Sequence, residues 1–455
     1  MKIVIVGGGK VGSTLAGQLA REGHDIILID KRRDVVSALS AKMDIMVVYG
    51  NGASMGTLQN ADIGNSDLLI AVTPQDELNF MCCVIARKLG CANTIARIRD
   101  PEYHEQLYFL REELGLSMTV NPEWSAAQEI FRLMQIPGFL KRDSFAKGRV
   151  EIVEIEVRDF SPLRGMQMRM LHQKLRVKVL VCAVERGSKV VIPDGNFTLE
   201  QGDKIYVTAP AAELPNLLRS LEIPTQKAKN AMIIGGSRIA KSLTGMLLRA
   251  GTRVKILEQD PVRAEELAEA FPEADIVLGD GASQSVLNAE NISEMDSVIT
   301  LTNMDEENLI ISMYANHLGV RQVITKLNRM EYNDVFRDKG IDCVVSPKML
   351  GAQQIIRYVR SMQNSSGSSA LSVHHLINDR VEALEFLVTE KTLNIGKTLS
   401  EIRLKPNILL ACITRMGHVI IPGGKDTIEP GDTLVVVTAS DRVILDLNDI
   451  FVSDD

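Results

Sequence analysis

The chain is written twice, and no other feature limits its fold as strongly. Gly50-Asn51-Gly52-Ala53-Ser54 returns as Gly279-Asp280-Gly281-Ala282-Ser283, and over fourteen residues from Gly50 and Gly279 six are identical. Farther on, Asp67, Thr73, Asp76, Glu77 and Asn79 are matched by Asp296, Thr302, Asp305, Glu306 and Asn308 at the same offset. Self-similarity held over this length means two copies of one structural unit and a shared origin for the halves. Whatever fold explains one half must therefore explain the other.

Each half opens as a nucleotide-binding βαβ unit does. Lys2 to Val6 is an apolar, β-branched strand that runs into Gly7-Gly8-Gly9-Lys10-Val11-Gly12. Val11, Leu15 and Leu19 then recur every fourth residue, Gly23 ends that helix, and the strand Ile26 to Ile29 finishes on Asp30. A GxGxxG alone is weak evidence, but strand, glycines, helix, strand and acid in that order are strong evidence. Gly7 permits the tight turn, Gly9 lets the backbone approach a pyrophosphate, and Gly12 lets helix and strand pack. The helix start offers unpaired N–H groups to phosphate, and Asp30 accepts from a ribose hydroxyl. Beside it, Lys31, Arg32 and Arg33 either hold a 2′-phosphate or open a solvated helix.

The second copy is eroded. Met232 to Ile234 leads into Gly235-Gly236-Ser237-Arg238-Ile239-Ala240, with Ser237 in place of the close-approach glycine, while Glu258 keeps the ribose acid. This turn is either a weaker nucleotide site or a purely structural copy. Ligands of doubly wound sheets bind at the carboxyl ends of strands. That rule adds Asn51, Thr73 and Arg97 to the first site and Asp280, Thr302 and Lys326 to the second.

Behind each of these domains lies an amphipathic helix. Asn121-Pro122 and Ser346-Pro347 read as N-caps with proline at the first helical position. Ala127, Ile130, Phe131 and Met134 form one apolar stripe, and Ala352, Ile355, Ile356 and Val359 form the other. Each stripe packs either on its own domain or on another copy of the module. The texture then turns to short β-branched runs, among them Glu151 to Val157, Val177 to Val184 and Ile408 to Ile413, punctuated by Pro193-Asp194-Gly195, Gly202-Asp203 and Gly431-Asp432. The expected fold is α/β: two tandem Rossmann-like, doubly wound parallel sheets, each followed by a small β-rich α+β domain. The expected boundaries are 1–140, 141–225, 229–362 and 370–455, with Gln363 to Ser369 a flexible linker.

Composition removes several function classes. A net charge of −7 without a long basic run argues against nucleic acid as a partner. The six cysteines lack CxxC spacing and read as reduced core residues. None of the seven histidines shows metal spacing, and His374 and His375, beside the Ser-rich linker, read as solvated. Met1 is followed at once by a strand, without the parts of a signal peptide, and no apolar run reaches the roughly 20 residues that span a bilayer. A cytoplasmic protein is expected, one that could still work at a membrane through a partner.

Two modules, each with a GxGxxG domain, a connecting helix and a β-rich domain with PDG and GD turns, resemble the TrkA family. Its members are cytoplasmic regulatory subunits of bacterial Trk potassium uptake, built from two RCK (regulator of potassium conductance) modules. The most specific points are Met1 to Asp30, the GNGAS and GDGAS repeats, and Ala96-Arg97-Ile98-Arg99. The resemblance implies a homo-oligomer, a tetrameric ring of eight modules, on the inner face of the membrane below a Trk-type potassium transporter subunit. It also implies NAD(H), with ATP and ADP, as regulatory ligands, held by Gly7 to Gly12, Asp30, Thr73 and Arg97. An NAD-dependent oxidoreductase is the main alternative. That reading needs an acid or base beside the nicotinamide, and the sequence offers no such constellation. No enzymatic activity is expected. A redox-sensing transcription factor would need a basic helix-turn-helix, which is not visible.

Overall fold

A computed structural model describes residues 1–100, 103, 114–136, 138–175, 177–187, 189–223, 226–329, 341, 343–363, 370–377, 380–439, 444 and 446–452. The chain divides into two compact units that pair like with like. One holds Met1–Ile130 and Asn230–Ile356, the other Phe131–Lys229 and Arg357–Asp455.

In the first unit, β1 (Lys2–Val6), β2 (Asp25–Asp30), β3 (Met46–Tyr49), β4 (Leu68–Ala71), β5 (Asn93–Arg97) and β6 (Met118–Val120) form one sheet. Its order is β3-β2-β1-β4-β5-β6, and every pairing is parallel. Strands covered on both faces must be apolar throughout, which is why Val4 to Val6 and Leu68 to Ala71 lack polar alternation. Helices α1 (Lys10–Arg21), α2 (Arg33–Lys42), α3 (Met55–Asn60) and α4 (Asp76–Lys88) make the crossovers. Strand order reverses between β1 and β4, where such sheets open a crevice at their carboxyl edge. The repeat builds a second sheet, β14-β13-β12-β15-β16-β17, from β12 (Asn230–Ile234), β13 (Arg253–Glu258), β14 (Asp275–Leu278), β15 (Ser297–Thr300), β16 (Gln322–Lys326) and β17 (Val344–Val345).

The connecting helices Pro122–Gln135 and Pro347–Gln363 meet each other. A Cβ on Gly351 would stand 2.8 Å from the Pro122 ring, and Gln354 Nε2 donates to Ser125 Oγ at 2.9 Å. Ala127, Ile130, Met134, Ala352, Ile355, Ile356 and Val359 are buried and Phe131 is half-buried, so the second stripe and all but Phe131 of the first are covered within this chain. The two starts differ. Asn121 Oδ1 accepts from Trp124 N at 2.9 Å as an N-cap should, whereas the buried Ser346 hydroxyl makes no hydrogen bond among the described residues.

The second unit contains two antiparallel sheets of the same topology. One is β10-β9-β11-β8-β7, from β7 (Lys141–Phe145), β8 (Val150–Glu156), β9 (Leu180–Arg186), β10 (Lys189–Val191) and β11 (Lys204–Pro210). The other is β18-β19-β22-β20-β21, from β18 (Ser372–Ile377), β19 (Val381–Leu387), β20 (Ile408–Arg415), β21 (His418–Ile420) and β22 (Thr433–Thr438). Alternation in β8 predicts one covered face, yet nearly the whole strand is buried. Val153, Ile155 and Val157 face one core, while Val150 and Ile152 pack with Leu376, Val381, Ala411 and Val437 of the other sheet. The GD turns anchor arginines from neighbouring strands. Buried Asp203 and Asp432 receive Arg186 and Arg415 in bidentate pairs at 2.7 to 2.9 Å.

His374 corrects the reading from sequence. It is buried rather than solvated, with Nδ1 3.0 Å from Asp143 Oδ1 and its ring 4.5 Å from that of Phe145. Adjacency to a polar linker misled, because β18 runs against β7 of the other small domain. The side chain of His375, and the linker beyond Gln363, lie outside the described residues. All six cysteines are buried and unbridged.

Candidate functional site

The first glycine turn is held from both sides by backbone hydrogen bonds. Gly7 has φ +107°, a conformation that L side chains rarely adopt, and its N–H donates to Ile29 O at 2.8 Å. The next N–H, of Gly8, donates to Asp30 Oδ2 at 2.7 Å, and Arg32 N donates to Oδ1 at 2.8 Å. Asp30 thus ties the turn to the end of β2, a role that sequence reasoning does not assign to it. Oδ1 also faces Arg32 Nε at 3.7 Å; a carboxylate offers about four acceptor sites in all, so both oxygens can accept further hydrogen bonds.

Gly9 differs from its neighbours. A Cβ on Gly12 would stand 1.8 Å from Gly7 O, and one on Gly8 2.7 Å from Val35, but one on Gly9 would meet nothing within 4 Å. Packing demands the absence of a side chain at Gly12 and Gly8; at Gly9 the space beside the backbone is simply open. Gly9 is also the N-cap of α1 and has no side chain to cap it, so the first N–H groups of that helix remain available.

A cavity of about 450 Å³ lies along this edge, within the ordinary size range of small-molecule sites. Among the residues named from sequence, Gly7, Gly9, Lys10, Val11, Asp30, Lys31, Arg32, Asn51, Thr73 and Arg97 line it. Gly8 and Gly12 do not; they build the turn behind it. Asn51 Oδ1 accepts from Ala53 N at 3.1 Å and so shapes its own loop. Thr73 is fixed by Asn79, whose Oδ1 accepts from Thr73 N and Oγ1, each at 2.7 Å. Asn79 Nδ2 reaches on to Arg97 O at 2.8 Å, and Arg97 Nη2 donates to Thr73 O at 2.8 Å. The Arg97 Nε–H is buried without a hydrogen-bond partner among the described residues. Burial, and then Arg99, pull the Arg97 guanidinium down from its ordinary value, against Glu123 and Asp76.

The second turn repeats this frame. Gly235 has φ +96°, Gly236 N donates to Glu258 Oε2 at 2.6 Å, and Asp260 N donates to Oε1 at 2.8 Å. Ser237 (φ −68°, ψ 169°) follows the same path as Gly9 (φ −68°, ψ −175°), so serine does not displace the backbone. Instead its Oγ accepts from Ala240 N at 3.5 Å and caps the helix Arg238–Arg249. Ile239 is buried in that helix, and Arg238 is among the charges acting on Arg97. Asp280 Oδ1 accepts from Ala282 N at 2.9 Å, as Asn51 does from Ala53. Lys326 Nζ donates to Thr302 O at 2.6 Å, repeating Arg97 on Thr73. Burial pushes the Lys326 ammonium down, with Asp305 and Glu123 opposing.

Sequence reasoning matches Asn79 with Asn308 and Asp76 with Asp305 without giving them a role. The structure makes them clamps. Asp76 Oδ2 accepts from Arg99 N and Asp100 N at 2.8 and 2.9 Å, and Asp305 Oδ2 accepts from Asn328 N and Arg329 N at 2.9 Å. Lys348, which also lines the first cavity, carries no signal in the sequence that would single it out. Among the described residues no group of three His, Cys, Asp or Glu could hold a metal ion, and no helix is long and apolar enough to cross a membrane.

Comparison with known proteins agrees with this geometry. The TrkA-N domain family matches residues 3–122 and 231–347, and the TrkA-C domain family matches 152–222 and 383–449. A Trk system potassium uptake protein TrkA homolog of Archaeoglobus fulgidus is 30% identical over 97% of this chain and 98% of its own. The Trk system potassium uptake protein TrkA of Vibrio alginolyticus is 30% identical over 99% of this chain and 98% of its own. Among solved structures, the GsuK channel bound to NAD superposes with a TM-score of 0.61 at 19% identity, covering 96% of this chain and 77% of that one. That last likeness establishes the fold.

Proposed function

This chain belongs to the TrkA family, with TrkA-N and TrkA-C domains in tandem, and from that premise we propose that it is a cytoplasmic regulatory subunit of potassium uptake that senses an adenine nucleotide. The name shared by its relatives supports potassium uptake as the process. A nucleotide fits the residues present. The observation that carries the reading is the open space beside Gly9, with free helix N–H groups behind it, on a cavity that Lys10 and Arg97 also line.

In this reading the N–H groups after Gly9, with Lys10 and Arg97, hold phosphate oxygens, and Asp30 accepts from a ribose hydroxyl with its remaining lone pairs. The GsuK structure with NAD supports NAD(H) as one such ligand; ATP and ADP fit the same donors. The chain is a sensor rather than an NAD-dependent oxidoreductase, and its partners are a Trk-type transporter subunit and further copies of itself in a ring on the inner face of the membrane. A nucleotide shifts the partner only through unequal affinity for two conformations. A coupling of about 1–3 kcal/mol changes transport several-fold.

The test is calorimetric titration of the full chain with NAD, NADH, ADP and ATP, followed by potassium flux in vesicles that hold the transporter. Saturable binding to at least one nucleotide, and flux that depends on it, are expected. No heat with any of the four removes the sensor reading, and flux indifferent to this protein removes the regulator.

A further inference from the structure

We infer that Lys348, which belongs to the second half of the chain, is a specificity-determining residue of the first nucleotide site, where it reads terminal phosphate and favours nucleoside di- and triphosphates over dinucleotides. The inference rests on the nucleotide reading of that site.

Lys348 lines the first cavity although every other lining residue comes from the first half. Its ammonium makes no ion pair among the described residues. Lys348 and Lys10 line the same cavity, and Lys10 opens the helix whose first N–H groups would face phosphate. Lys10, Asp305, Lys326 and Arg329 are the principal charges acting on Lys348. Burial, and then Lys10, hold the ammonium below its ordinary value, a strain that an anion between the two lysines would relieve. The position is also unfavourable on its own terms. A cation in the first turn of the helix Pro347–Gln363 opposes the helix dipole.

The repeat shows that nothing in the fold requires a lysine here. The matching residue behind Pro122 is Glu123, of opposite charge, and its buried Oε2 has no hydrogen-bond partner among the described residues. Glu123 acts on Lys326 at the end of β16 and also on Arg97 of its own half. The matched positions of the two connecting helices thus carry unlike charges. At the first site five cations, Lys10, Lys31, Arg32, Arg97 and Lys348, line a cavity whose one lining acid, Asp30, is engaged by two N–H groups and faces Arg32 Nε at 3.7 Å. Lys31 and Arg32 follow Asp30 directly, and the other three suit a polyphosphate chain carrying three or four charges better than the diester pyrophosphate of a dinucleotide. Because Lys348 opens a connecting helix, the same contact would pass the ligand's charge into the second half.

The experiment is titration of the full chain and its Lys348→Met, Lys348→Glu and Lys348→Arg variants with ATP, ADP, AMP and NADH. Lys348→Met should weaken ATP and ADP about tenfold, equivalent to about 1.4 kcal/mol, and change AMP and NADH less than twofold. Lys348→Glu should weaken ATP further, and Lys348→Arg should restore it. Retained AMP binding reports an intact turn. Equal losses for all four ligands, or ATP binding untouched by Lys348→Met, overturn the inference while leaving the nucleotide reading in place. A parent chain that binds none of the four defeats both.

Discussion

At the residue scale, the glycines of the first turn separate into those the fold needs and one that it does not. Gly12→Val would drive a branched side chain into Gly7 O and should lower stability sharply. In Gly9→Val the side chain enters open space at an ordinary φ of −68°. The melting temperature should therefore stay near that of the parent while nucleotide affinity at this turn falls at least about tenfold, the loss of roughly 1.4 kcal/mol of phosphate contact. Calorimetry and a thermal melt on the same sample check both halves of this expectation. Undiminished affinity would mean that the phosphate lies elsewhere. The sequence made this turn legible because strand, glycines, helix and acid follow one another locally. It did not reveal that Asp30 is engaged by Gly8 and Arg32, which depends on how two turns meet in space. Nor could it reveal Lys348, since no local pattern joins that residue to the first β-strand.

At the scale of elements, sequence periodicity reported which strands exist but not what covers them. Glu151 and Glu154 lie on opposite faces of β8, yet both are buried, and Arg142 pairs with Glu151 at 2.7 Å. The face that carries Val150 and Ile152 is covered by the second small sheet, a partner that alternation within one strand cannot name. The link between β7 and β18 is another case. Burial pushes the Asp143 carboxyl up, but Lys141, His374 and Arg132 outweigh it and hold the group well below the usual carboxylate range. A carboxyl lowered on folding adds stability above its unfolded value of about 3.9, and that stability is lost as pH falls from there toward the folded value. Asp143→Asn removes the carboxylate that His374 Nδ1 and Lys141 Nζ face at 3.0 and 3.4 Å. It should cost about 1–3 kcal/mol near neutral pH, and less toward pH 3. Urea denaturation at the two pH values decides, and a variant as stable as the parent at pH 7 would show the link to be idle.

At the scale of the whole molecule, duplication gave two turns one backbone and then let their chemistry diverge. Both halves keep the left-handed glycine, the acid that ties the turn, the asparagine clamp and a cation on the threonine carbonyl. They differ where a ligand would touch. Ser237 already satisfies one N–H of its helix start, the N–H of Ala240, whereas the first N–H groups behind Gly9 have no side-chain cap. A phosphate at the second turn must compete with that hydroxyl and enter past its Cβ, so the second turn should bind the same nucleotide more weakly. In the full chain, Gly9→Val isolates the second turn, and adding Ser237→Gly removes the competitor. The expected order of affinity is the parent's first turn, then the double variant, then Gly9→Val alone, with steps of several-fold. Loss of a capping hydroxyl replaced by glycine costs only a few tenths of a kcal/mol, so a gain in binding would not be masked by a failing helix. A second turn as tight as the first, or one indifferent to Ser237→Gly, would mean that the halves diverged in something other than their access to phosphate.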